Sequence, residues 1–203
     1  MPHNCQPQSA GPGRRSALRR LVGLAAGAAV GSLAATRGTH ARADAIGVKS
    51  AELRAEDDDF VLNADFDLTL NATLEEALQR GVPLYFLLEL EISRPRWYWL
   101  DDKVVSYSVQ YRIAWNALTR QYRVSSGLFG QTLYTLEEVE RFLSRVTSRA
   151  VARRDQLQKG VRYDAALRLR LDVNQLPKPF QVDALASREW SLQSDWLRWS
   201  FTS

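Results

Sequence analysis

Long stretches of strict apolar–polar alternation constrain this chain more than any other feature. From Phe60, the residues Phe60, Leu62, Ala64, Phe66, Leu68 and Leu70 fall on one side of an extended backbone. Val61, Asn63, Asp65, Asp67 and Thr69 fall on the other. Leu84, Phe86, Leu88, Leu90 and Ile92 share a side opposite Tyr85, Leu87, Glu89 and Glu91. Val105, Tyr107, Val109, Tyr111, Ile113 and Trp115 repeat the device, and so do Val161, Tyr163, Ala165, Leu167, Leu169, Leu171 and Val173. Each stretch predicts a long antiparallel strand with one dry face and one wet face. Shorter strands are expected over 46–55, 121–127 and 190–201. Seven half-apolar strands must bury their dry faces against each other, which predicts a mainly β, antiparallel, two-sheet sandwich-like domain.

Two short helices interrupt the strands. Thr73-Leu74-Glu75-Glu76 has capping-box spacing and predicts a helix running to about Arg80, ended by Gly81 with Pro83 beyond. Thr135-Leu136-Glu137-Glu138 repeats the spacing. Val139, Phe142, Leu143 and Val146 then recur with helical period, acids first and Arg141, Arg145 and Arg149 later, as the helix dipole favours.

The formal charge of +4 belongs to the N-terminal segment. Residues 1–43 hold six Arg and no acid, leaving 21 Lys and Arg against 23 Asp and Glu in 44–203. The basic balance therefore gives no support for nucleic-acid binding. Arg14 to Arg20 form a basic stretch, Leu21 to Ala35 a weakly apolar run, and Ala41-Arg42-Ala43 a small-x-small site ahead of Asp44. This order predicts a cleavable export signal over 1–43, cut after Ala41-Arg42-Ala43, and a single domain over 44–203. The apolar run is shorter than the ~20 residues that span a bilayer. Gly13-Arg14-Arg15-Ser16-Ala17-Leu18-Arg19 resembles a twin-arginine signal, with Ala17 where a large apolar residue is usual. The twin-arginine and general secretory routes both stay open, and both lead to the periplasm.

Cys5, His3, His40 and Met1 all lie in the leader, so the exported chain has no Cys, His or Met. That excludes Cys or His nucleophile systems, thiolate and imidazole metal sites, haem ligation and disulfides. No Ser-x-x-Lys, Gly-x-Ser-x-Gly elbow or Gly-rich phosphate loop occurs. The chain is expected to be no enzyme and to need no cofactor.

Several separate motifs follow in order: Arg96-Trp97-Tyr98-Trp99, Leu118-Thr119-Arg120-Gln121-Tyr122-Arg123-Val124, Thr135-Leu136-Glu137-Glu138, Leu176-Pro177-Lys178-Pro179-Phe180-Gln181, and Trp190-Ser191-Leu192-Gln193-Ser194-Asp195-Trp196-Leu197-Arg198-Trp199. Together they resemble a family of exported proteobacterial proteins known as domain of unknown function 4390, some labelled proline-rich signal-peptide proteins. The resemblance covers nearly all of residues 45–203. It implies a Gram-negative envelope protein, and members are often encoded beside a membrane sensor kinase. It carries over no catalytic residue, and the proline-rich label suits a chain with seven Pro poorly.

Four clusters carry potential chemistry. Glu56-Asp57-Asp58-Asp59 with Asn63, Asp65 and Asp67 offers oxygen ligands for Ca²⁺, but lacks the Gly turn and later Glu of a calcium loop. A turn feeding a strand with an acidic wet face is the plainer reading. Glu89 and Glu91 share a strand face, where they can serve as paired catalytic carboxylates or pair with Arg112, Arg168 or Arg170 across strands. The basic run from Arg145 to Arg162 suits anionic headgroups, an acidic partner or a solvated helix end. Consecutive aromatics on a strand point to both faces, so some of Trp97, Tyr98 and Trp99 should lie off the core or cap the sandwich end. The cluster Arg94, Arg96, Trp97, Tyr98 and Trp99 is thus the candidate interaction surface. These readings converge on a periplasmic, non-enzymatic interaction module. Its expected partner is an envelope or inner-membrane protein, such as a membrane sensor or an envelope assembly, with peripheral membrane contact open and no nucleic acid. The alternative is a carrier of a lipid or other small apolar ligand held between the sheets.

Overall fold

The computed structural model describes residues 46–96 and 102–203. Among the described residues, nine strands run in two antiparallel sheets. In chain order they are β1 (Gly47–Glu56), β2 (Asp59–Asp67), β3 (Leu84–Arg94), β4 (Asp102–Asn116), β5 (Gln121–Ser126), β6 (Phe129–Leu133), β7 (Arg145–Arg153), β8 (Arg162–Leu171) and β9 (Leu197–Thr202). One sheet has three strands, β1-β2-β7. The other has six, β6-β5-β4-β3-β8-β9.

The predicted alternation sets the register. Phe86 stands opposite Tyr111 of β4 and Leu171 of β8, Leu88 opposite Val109 and Leu169, and Leu90 opposite Tyr107 and Leu167. Directly opposed residues share a face, so three strands present one apolar surface. Leu84, Phe86, Leu88, Leu90 and Ile92 are all fully buried. Phe60, Leu62, Ala64 and Phe66 of β2 supply the facing layer. Each of the buried Leu, Ile and Phe side chains contributes about 1.5–3 kcal/mol on burial. The Phe60 and Phe201 rings, 6.1 Å apart and edge-on, tie β2 to β9.

Among the described residues, three short α-helices are present rather than two: α1 (Ala72–Gln79), α2 (Leu136–Ser144) and α3 (Lys178–Ala186). The first begins earlier than expected. Asn71, not Thr73, caps it, its Oδ1 accepting from the Leu74 N–H at 3.0 Å. Thr73 sits inside the helix and its hydroxyl donates to Glu189 Oε2 at 2.7 Å. Gly81 then takes φ +86°, a conformation that only glycine adopts cheaply, and the helix stops as predicted. The second capping box forms in full at Thr135 and Glu138.

Helix α2 does not run on through Val146. It ends at Ser144, and β7 starts at the next residue. Arg145, Arg149 and Arg153, spaced four apart, are strand residues and not a helical face. Ser148 at φ +44° lies within β7, and its pairing with β2 shifts register between Leu62 and Ala64. A spacing of four suits a strand face as well as a helical one, and the irregularity hides the strand by breaking its alternation, with the buried Val146 and Val151 five residues apart. The strand β2 ends at Asp67, although Leu68 and Leu70 remain buried. Trp190 lies in a 3₁₀ turn, packed on Phe180 of α3 with ring centroids 5.8 Å apart, and the last strand starts only at Leu197.

Candidate functional site: an open groove between the sheets

Three strands cannot cover six. Coverage of the wide sheet's inner face ends at β7, and beyond it α2 lies over β5 and β6 with Val139 and Leu143 buried. Between the free edge of β7, α2 and the inner faces of β4 and β6 there remains an open groove of about 810 Å³. Tyr107, Tyr111 and Phe142 supply its aromatic lining, and Arg141, Arg145 and Arg149 its charge. A second hollow of about 390 Å³ shares Tyr111, Gln131, Phe142 and Arg149, and adds Phe129.

The electrostatics of the groove are positive. Glu138, its one acid, is committed to the α2 cap, where it accepts from the Tyr134 N–H at 2.7 Å. Arg149 donates to the Tyr111 hydroxyl at 3.3 Å, a neutral partner that leaves its charge uncompensated. Arg145 makes an exposed 3.4 Å contact with Asp65, a pair that water screens strongly. Arg141 makes no ion pair among the described residues. Burial pushes the Tyr107 phenol up, and the Arg149 charge opposes that only in part. Arginines beside phenol rings bind carboxylates and aromatic side chains, the usual chemistry of a recognition surface.

The predicted surface at Arg94–Trp99 is only partly placed. Arg94 ends β3 opposite Asp102, and Arg96 Nη2 lies 2.5 Å from Asp102 Oδ2. Trp97, Tyr98 and Trp99 lie outside the described residues, as do the leader and the cut site at Ala41 and Ala43. The other tryptophans have structural partners. The Trp196 ring lies 4.4 Å from the Arg168 guanidinium, and Trp199 stands opposite Ala165.

The two glutamates of β3 follow the pairing reading. Glu89 Oε2 accepts from Arg168 Nε and Nη2 at 3.0 and 2.6 Å and from Arg170 Nε at 3.0 Å. Glu91 instead meets Lys103 at 2.6 Å, and Arg112 turns to the Tyr85 hydroxyl at 3.3 Å. Burial alone would raise the Glu89 carboxyl, but the hydrogen bonds and charges of Arg170 and Arg168 outweigh it and hold it below its ordinary range. The acidic stretch is dispersed. Asp65 meets Arg145 and Ser50, Asp67 meets Lys49, and Asn63 Oδ1 accepts from the Ser148 N–H. Among the described residues no three carboxylates, His or Cys gather as a metal site.

Sequence reasoning flagged the charge of the groove, through Arg145 and Arg149, but not the groove. Tyr107 and Tyr111 read as ordinary dry-face residues. Only the mismatch in sheet width leaves them beside an opening, and no local motif encodes it.

Residues 43–200 match the model of a family described as Domain of unknown function (DUF4390). No curated protein matches the chain, and neither does any solved structure.

Proposed function

We propose that this chain, which belongs to the DUF4390 family, is an exported, non-enzymatic interaction module of the cell envelope. The groove beside β7 carries this reading. It is open, positive and aromatic, and its polar groups are arranged for contact rather than for proton transfer. Glu89, the strongest acid–base candidate in the sequence, supports it too. A general acid needs a raised pKa, whereas two arginines hold this carboxylate ionised, and the three hydrogen bonds on its Oε2 tie it to a structural partnership. The leader's basic, apolar and small-x-small order supports export. N-terminal sequencing of protein from the periplasmic fraction should begin at Asp44.

In-cell photocrosslinking tests the module reading. A photoreactive phenylalanine analogue is placed at Thr147 in the groove, at Trp97 in the candidate aromatic surface, or at Ser106 on the exposed face of β4. The expected result is one envelope protein captured from Thr147 and not from Ser106. Capture from Trp97 alone would move the docking surface to the Arg94–Trp99 cluster. Identical products from all three positions would sink the proposal.

A second reading is favoured by the place of the groove between the sheets: a carrier whose apolar ligand lies on Tyr107, Tyr111 and Phe142. It predicts a lipid or other small molecule released on denaturation of natively purified protein, with no protein crosslink from Thr147.

A further inference from the structure

Two sheets present four edges, and the chain treats one of them differently. β1 carries Lys49, Glu52, Arg54 and Glu56, β7 carries Arg145, Arg149 and Arg153, and β9 carries Arg198. Charges on an edge strand deter pairing with a stray strand. β6 has none, and no charged residue occurs anywhere from Val124 to Tyr134. Four of its five residues are exposed, Phe129 by 80%, and Leu128 in the adjoining turn is fully exposed. The turn is tight, Ser126 pairing with Phe129 around Gly127 at φ +58°, so the edge is held extended and ready to pair.

We propose that β6 pairs antiparallel with β6 of a second copy of this chain, about a two-fold axis through Gln131. The pairing follows from the sequence of the strand. Phe129 of each copy stands opposite Leu133 of the other, Gly130 opposite Thr132, and Gln131 opposite itself. An aromatic–aliphatic pair forms twice, and no charge meets its like. The strand's own residues carry no charge that would select a charged partner strand, whereas a second copy matches it residue for residue. Phe129, Gln131 and Leu133 lie on the dry side of the sheet, in register with Ser126, Val124 and Tyr122. On that side Phe142 of α2 is also part exposed and borders the same hollow as Phe129. Pairing carries the dry face across the junction and brings apolar side chains to the corner that the three-stranded sheet leaves bare. The interface is shorter than the standard size of a permanent complex, so the dimer depends on concentration. Gln131 and Leu133 also line the groove, so the strand edge and the groove adjoin, but self-association reads the pairing alone and crosslinking from Thr147 reads the groove alone.

Sedimentation equilibrium of protein purified from cells expressing the full chain, from low micromolar to near-millimolar concentration, tests it. The wild type should show a monomer–dimer equilibrium. Gln131→Lys places like charges face to face and should weaken dimerisation at least about tenfold, with an unchanged melting temperature because Gln131 is exposed. Mixing Gln131→Lys with Gln131→Glu should restore dimers as mixed pairs. Thr132→Lys, on the other face of the strand, serves if the first variant does not fold. A wild type that stays monomeric throughout, a Gln131→Lys dimer of undiminished strength, or no recovery on mixing would overturn the proposal.

Discussion

Replacing Glu89 by Gln separates a structural carboxylate from a chemical one. One oxygen of Glu89 gathers three hydrogen bonds from two arginines, and the side chains of Glu89, Arg168 and Arg170 are 22%, 25% and 23% exposed. Fully exposed ion pairs are worth under about 1 kcal/mol, and breaking a fully buried one costs about 3–5 kcal/mol. A cluster at roughly one quarter exposure falls between. Arg170 also keeps Asp172 at 3.5 Å, and Arg168 keeps the Trp196 ring. The expected loss in Glu89→Gln is therefore about 2 kcal/mol at neutral pH. That lowers the melting temperature by about 4–8 °C for a domain of this size. The sign of the pH dependence follows from the depressed carboxyl. Its stabilisation is fully present above the unfolded-state value and is lost as pH falls through the lower folded-state value. Urea unfolding of wild type and variant at neutral pH and at about pH 3 should show a gap that narrows in acid. A gap of equal size at both pH values, or none at neutral pH, would refute the reasoning.

Two further outcomes rest on single features. Thr135→Ala removes the side-chain half of the α2 capping box and should cost about 1 kcal/mol in urea unfolding, whereas Thr73→Ala, away from a cap, should lose only its contact with Glu189. Spectrophotometric titration should find Tyr107 and Tyr122 ionising at higher pH than an ordinary phenol, because burial disfavours both phenolates. Arg149→Ala should push Tyr107 higher still by removing the charge that favours its ionised form.

The four long strands were legible because one side of each is apolar at every second position, with only single apolar residues such as Val61, Leu87 and Ala166 on the other side. β7 was not, because the Ser148 irregularity hides its period and its arginines mimic a helix that had just been capped. β6 was missed for the opposite reason. With Gly130 and only one buried residue, it has no dry-face pattern to read. α3 begins at Lys178-Pro179, where a proline in the first turn looks like a loop unless the following residues show helical amphipathicity, and here they do not. The groove was illegible for a topological reason. Its residues come from β4, β6, α2 and β7, and what brings them together is the difference between three strands and six.

The order of strands also dictates when the domain can form. β2 is paired on one side with β1, but its other neighbour is β7. β3, central in the wide sheet, needs β8 on its far side. Arg145 meets Asp65 across 80 residues of chain, and Arg168 meets Glu89 across 79. Closing loops of that length loses entropy before any contact returns it. Early in synthesis only β1–β2 and the β3–β6 meander have partners. Neither sheet closes until β7 and β8 have emerged, so folding of this domain is a late event that needs almost the whole chain.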